Sequence, residues 1–206
     1  MIPIWIVIAL PLVTLYAAFL IWYGGNGKPL TTDEISAGLR ELQATDTSEH
    51  GKSAVDDVYQ LLANDDGKEF IMQNLVRYRA KALYPPGSNY GDDPREADKR
   101  YGKAIVGDLL RNGNLILFVA RRSGNFIVPE GADAWHYVAM VRYRSRRDFL
   151  RFALQANQAE KFVHKWAAIE KTHVFPVKPI MSLFMVRTLV ALVLFAMGSL
   201  ILKGIA

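Results

Sequence analysis

The sequence predicts an α+β domain held between two membrane-spanning helices, and three observations predict it. The uncharged segment 2–23 and the apolar segment 180–202, whose one charge is Arg187, bracket a polar middle of about 155 residues. From Glu69 onward that middle alternates strand-like and helix-like stretches in the order β-α-β-β-α-β. Its first and third strand-like stretches end on near-identical hexapeptides, LVRYRA at 75–80 and MVRYRS at 140–145.

The end segments match the roughly 20 residues that a helix needs to cross the hydrocarbon core. Segment 1–23 has no basic leader and no small-residue cleavage site, so it reads as an uncleaved anchor. Trp22 and Tyr23 form an interfacial aromatic anchor, and the glycines that follow stop the helix. Pro3 suits a first turn, and membrane helices tolerate the kink expected at Pro11. In segment 179–206 the uninterrupted apolar run after Arg187 is too short to span alone. The helix must therefore begin before Arg187, whose guanidinium would snorkel to an interface or pair with a partner.

The middle opens with a helical region, 24–68. Thr31 or Thr32 caps a first helix, with Asp33 and Glu34 in its first turn. Residues 44–52 read as a loop, and Ser53 caps a second helix carrying Val55, Val58, Tyr59, Leu61 and Leu62. The domain proper is 69–178. A strand over 69–79 is followed by a loop, then by a helix opened by Pro94 and closed by Asn112-Gly113. Strands follow over 114–122 and 134–144. Ser145 with Asp148 forms a capping-box-like start to a helix reaching about Glu170, with a break near Asn157. A last strand covers 172–177. This is the split βαβ pattern of the ferredoxin-like fold.

The stretch 69–177 resembles the dimeric α/β-barrel superfamily, in particular its small domains of unknown function. The resemblance rests on the element order and on the Tyr101 helix after a first strand. It also rests on an aromatic-rich third strand followed by a helix holding Phe149, Phe152, Phe162 and Trp166. It implies two sheets packed face to face in a dimer and a pocket between sheet and helices. The superfamily includes cofactor-free monooxygenases, isomerases and haem-binding enzymes, so the resemblance fixes no chemistry. The two spans and the helices before Glu69 are additions to that pattern.

Composition narrows the function classes. All 20 acidic residues and all basic residues except Arg187 and Lys203 lie in the middle, so 23 of the 25 Lys and Arg are there. The middle therefore carries a net charge of 23 − 20 = +3, which is no nucleic-acid signature. The absence of cysteine rules out disulfides, thiolate metal sites and Cys nucleophiles. No nucleotide, zincin or nucleophile-elbow motif occurs. No metal site and no cofactor are predicted. Lys28, Arg40, Lys161, Lys165, Lys171 and Lys178 lie on the domain side of the spans, against Lys203 on the other. This charge bias predicts a cytoplasmic domain with both termini across an inner- or plasma-type membrane.

Strand alternation assigns the candidate site. Gln73 and Arg77 share a face of the first strand, and His136 and Arg142 share a face of the third. If these strands are adjacent, the four residues would bind a small anion or carboxylate, with the arginines as fork donors and His136 as acid or base. Trp135, Tyr78 and Tyr143 would shape the walls. The alternative is strand-end arginines in solvent and an ordinary sheet histidine. The pairs Arg121-Arg122 and Arg146-Arg147 would either touch anionic headgroups or solubilise the surface. Asp56-Asp57, Asp65-Asp66 and Asp92-Asp93 read as helix-surface, turn and cap residues. His164 reads as a half-exposed structural histidine.

Two functions fit. One is an interaction or accessory subunit of a membrane complex, partnered by the bilayer and by a second copy or another membrane protein. The other is a membrane-anchored enzyme or small-ligand sensor. The lack of any strong catalytic motif favours the first.

Overall fold

Capping residues and breaks in apolar periodicity set the elements of the computed structural model, which describes residues 3–25, 27–45, 49–156, 159–182 and 185–205. In order they are α1 (Ile4–Gly24), α2 (Thr32–Thr45), α3 (Glu49–Ala63), β1 (Phe70–Tyr78), α4 (Pro94–Arg111), β2 (Leu115–Arg121), β3 (Tyr137–Tyr143), α5 (Arg146–Ala156), α6 (Ala159–Ala168), β4 (Ile169–Val177) and α7 (Val186–Ile205). The protein is mixed α+β and divides into two compact units, α1 with α7, and α2 through β4.

In the first unit, 4–24 and 186–204 are long and apolar enough to cross a membrane. α7 begins one residue before Arg187, so the arginine sits in its first turn. The guanidinium lies 4.6 Å from the centroid of the Tyr23 ring, a cation–π contact at one end of the helix pair. The Tyr16 hydroxyl donates to the Arg187 carbonyl at 3.3 Å. Gly198 allows the helices to meet: a Cβ there would stand 2.8 Å from Leu12 Cδ1. Elsewhere the helices expose large apolar side chains, among them Trp5, Ile21, Leu189 and Phe195.

In the second unit, the strands form one antiparallel sheet in the order β2-β3-β1-β4. Phe70, Met72 and Tyr143 pack on one face against Ile105 and Leu109 of α4 and Phe152 of α5. Val76 packs on the same face against Ala97, Ala167 and Ala168. α2 and α3 extend this layer, closing Ile35 and Leu62 over Leu150 of α5. The helix starts follow local chemistry. Thr31 and Glu34 form a capping box, with Thr31 N–H to Glu34 Oε2 at 2.8 Å and Glu34 N–H to Thr31 Oγ1 at 3.3 Å. Asp93 caps α4 ahead of Pro94. At α5 the Asp148 N–H donates to Ser145 Oγ at 3.1 Å.

Several expected boundaries move. The loop expected over 44–52 is helical at both ends, since α2 reaches Thr45 and α3 starts at Glu49, which leaves Ser53 inside the helix. Residues 46–48, and the break expected at Asn157, lie outside the described residues. The helix expected to reach Glu170 ends at Ala168. Sheet pairing then takes over, because Ile169 and Lys171 pair with Tyr78 and Arg77, with Glu170 between them as a bulge in β4. Tyr59 is exposed, while Leu62 on the same helix is buried.

Candidate functional site

β1 and β3 are adjacent, central and antiparallel. Gln73 and Arg142 fall near each other: Arg142 faces Ile71, and Gln73 faces Met140 two residues along. Arg77 lies six residues beyond Ile71, about 20 Å along the strand at the usual rise. The expected quartet of Gln73, Arg77, His136 and Arg142 is therefore split between the two ends of the sheet.

At one end Arg142 is 2% exposed and already satisfied. Its Nε donates to Glu69 Oε2 at 2.9 Å and its Nη1 to the Gly113 carbonyl at 3.0 Å. At the other end Arg77 is held by Asp133 and Glu170, each at 3.2 Å. His136 stands just before β3 and is bonded on both sides, its N–H donating to the Val76 carbonyl at 2.7 Å and its carbonyl accepting from the Arg122 N–H at 2.9 Å. Its Nδ1 accepts the Tyr78 N–H at 2.8 Å, and its ring stacks on that of Tyr78 with centroids 5.6 Å apart. β3 starts at Tyr137 and not at Ala134. Trp135, freed from strand alternation, lies on the other face near His173, ring centroids 6.5 Å apart. Tyr143 belongs to the core beside Phe70 and lines no site.

The arginines after β3 are corrected as well. Arg146 is buried beside Asp65 and Asp66, and Arg147 is paired with Glu34 and bonded to the Pro29 carbonyl. They fasten the α2–α3 region to α5. The Arg147 hydrogen bond holds the Glu34 carboxyl at about 2, and Lys178 holds Asp66 at about 2.

A cleft of about 540 Å³ opens on the sheet face away from the helices. Leu75, Val138 and Trp135 form its floor and wall, and the β2–β3 connection from Arg122 to Asp133 forms its other side. Asp133 on the rim is paired with Lys171 at 2.7 Å and with Arg77. Those contacts, Lys171 first, hold its carboxyl below the usual range. Apolar walls beside exposed Arg121 and Arg122 suit an amphiphile with an anionic head.

A second constellation lies on the helix-covered face and was not expected. Asp98 of α4 accepts from the Tyr78 hydroxyl at 2.8 Å and from the Tyr137 hydroxyl at 3.3 Å. Burial pushes the Asp98 carboxyl up, although both hydroxyls oppose the shift. Burial and the neighbouring carboxylate push both tyrosines well above their ordinary value. A carboxyl with a raised pKa is suited to proton transfer, yet Asp98 does not line the cleft. Its signal in the sequence was its place on the stripe Asp98-Tyr101-Ile105, one apolar face of a helix with otherwise charged surroundings. Nearby, His164 Nδ1 bonds the Tyr84 hydroxyl at 2.9 Å and the ring packs edge-on to Tyr90. Burial lowers its pKa. Among the described residues no group of three or more His, Asp or Glu is placed to hold a metal ion.

No protein-family model matches the chain, and no curated protein matches it. The similar solved structures include RPA0582, a protein of unknown function from Rhodopseudomonas palustris, with a TM-score of 0.54 and 25% identity over 67% of this chain and 98% of that one. The methylated RPA0582 protein is similar to the same degree, with a TM-score of 0.54 and 26% identity over 66% of this chain and 95% of that one. The likeness is one of fold, and it extends over nearly all of the crystallised chain and two thirds of this one.

Proposed function

We propose that the chain is a two-span membrane protein whose ferredoxin-like domain is an interaction module, serving as an accessory subunit of a membrane complex through pairing with a second copy. One observation carries this reading: the helices layer one face of the sheet only. Phe70, Met72 and Val76 are buried under helices. Leu75, Val138 and Met140, at the middle of the two central strands on the opposite face, are only half-buried. A sheet covers its apolar faces by packing against another layer, and a second sheet of the same kind would supply one. The strand order β4-β1-β3-β2 supports the ferredoxin-like assignment and its likeness to the dimeric α/β barrels.

Two helices with outward apolar side chains support the bilayer as the first partner. The excess of Lys and Arg on the domain side supports a cytoplasmic domain with both termini across the membrane. The enzyme or sensor alternative draws its support from the cleft. It would take an amphiphile with an anionic head, held near Trp135 and the exposed arginines. Anion capture at Arg142 has no such support, because Glu69 already neutralises that side chain.

Cysteine cross-linking tests the pairing, since the chain has no native cysteine. Met140→Cys in native membranes is expected to give a disulfide-linked dimer, and Lys103→Cys on α4 is not. Equal cross-linking at both positions, or none at Met140→Cys, would overturn the reading.

A further inference from the structure

The connection between β2 and β3 leaves the sheet after the bond from the Arg122 N–H to the His136 carbonyl, 2.9 Å long. Its tip is Phe126-Ile127-Val128, and it carries the two most exposed large apolar residues of the domain. Phe126 is 97% exposed and Ile127 81%. Gly124 and Gly131, both at positive φ, bend the chain on either side. Pro129 follows the tip and has no N–H to desolvate. Exposed Arg121 and Arg122 stand at the base, where β2 ends. The loop has two acidic residues. Asp133 is neutralised by Lys171 and Arg77, and Glu130 is exposed past Pro129.

We infer that this tip inserts into the bilayer interface, with Phe126, Ile127 and Val128 among the upper acyl chains and Arg121 and Arg122 at anionic headgroups. Apolar residues at the tip and cations at the base reproduce the depth order of an interface, which is apolar within and anionic above. The domain is covalently continuous at both ends with a helix long and apolar enough to cross a membrane. A lipid surface is therefore the apolar phase at highest local concentration. A site for a protein partner would call for polar donors and acceptors around the apolar centre. Here the tip residues Phe126, Ile127 and Val128 carry no side-chain donor or acceptor. The inference rests on the membrane reading proposed above and gives that domain a third contact with the bilayer.

The test uses the full chain in phosphatidylcholine vesicles, with and without phosphatidylserine. A polarity-sensitive fluorophore is placed at Phe126→Cys, at Val13→Cys in α1, or at Lys103→Cys on α4. The expected result at Phe126→Cys is a blue shift and strong quenching by lipids spin-labelled near the headgroup, with little of either at Lys103→Cys. Arg121→Gln with Arg122→Gln is expected to reduce the signal only in the anionic vesicles. Strong quenching at Val13→Cys with none at Phe126→Cys overturns this inference and leaves the membrane reading intact. No quenching at Val13→Cys by lipids spin-labelled deep in the acyl chain overturns the membrane reading itself. A disulfide between two copies at Phe126→Cys, with no lipid quenching, assigns the tip to a second copy and overturns insertion.

Discussion

Arg146 separates a structural account of the basic pairs from a lipid-binding one. Its guanidinium lies 3.2 Å from Asp66 and 3.8 Å from Asp65, over the Phe70 ring at 5.3 Å. The Asp65 side chain is 2% exposed, so Arg146→Ala strands a buried carboxylate. Removing one partner of a buried pair costs about 3–5 kcal/mol. Asp65 keeps two backbone donors, Leu30 N–H at 2.8 Å and Gly67 N–H at 2.9 Å. Asp66 keeps Lys178 at 2.6 Å. These contacts place the expected loss at the lower end, about 3 kcal/mol. Denaturant unfolding of the full chain in detergent, read by tryptophan fluorescence, measures it. Arg146→Met with Asp65→Asn removes both charges and is expected to recover most of the loss. If Arg146→Ala left stability unchanged but weakened retention on anionic vesicles, the structural reasoning would be refuted.

Three further outcomes are expected. Asp98→Leu removes the acceptor of two tyrosine hydroxyls and should cost about 1–3 kcal/mol for each hydroxyl left buried, while Asp98→Asn should cost less in the same denaturant assay. Because burial raises the Asp98 carboxyl, ionising it works against folding. Wild type should therefore gain on Asp98→Asn as pH falls toward the ordinary aspartate value, and a gap that does not change with pH would contradict this. Burial would also raise Asp148, but hydrogen bonds from Arg144 and Ser145 outweigh it and the carboxyl titrates low. Its contribution is present above the ordinary value of 3.8 and is lost as pH falls below it, so Asp148→Asn should flatten the acid limb of the stability curve. Gly198→Ile would drive a branched side chain into Leu12 and should cost about 1–3 kcal/mol by overpacking. Gly198→Ala, which meets only a flexible side-chain end, should cost less in detergent melting.

Much of the element order was legible because several starts and stops have a local chemical cause. Asp93 and Pro94 open α4, Asn112-Gly113 closes it, and Ser145 with Asp148 opens α5. The site was less legible, for a geometric reason. Arg77 and Arg142 occupy equivalent positions of the two echoed hexapeptides. Their strands pair antiparallel, so equivalent positions land at opposite ends of the sheet. Face alternation placed both arginines on one face and said nothing about the distance along it. The fate of Arg146 and Arg147 depended on Asp65, Asp66 and Glu34, about 80 to 113 residues away in sequence, which no local pattern reveals. Asp98 was hidden for the opposite reason. Its charged neighbours in PREADKR suggest a solvated helix, and only the stripe through Tyr101 and Ile105 points it inward.

Native mass spectrometry of the full chain, gently extracted from its own membrane, tests the central claim most directly. The account predicts a species at twice the chain mass, alone or within a larger complex of fixed stoichiometry. It also predicts that Leu75→Glu with Met140→Glu on the open sheet face converts that species to monomer without loss of secondary structure. A wild-type chain that is monomeric at every concentration, or a dimer indifferent to these two substitutions, would contradict the account.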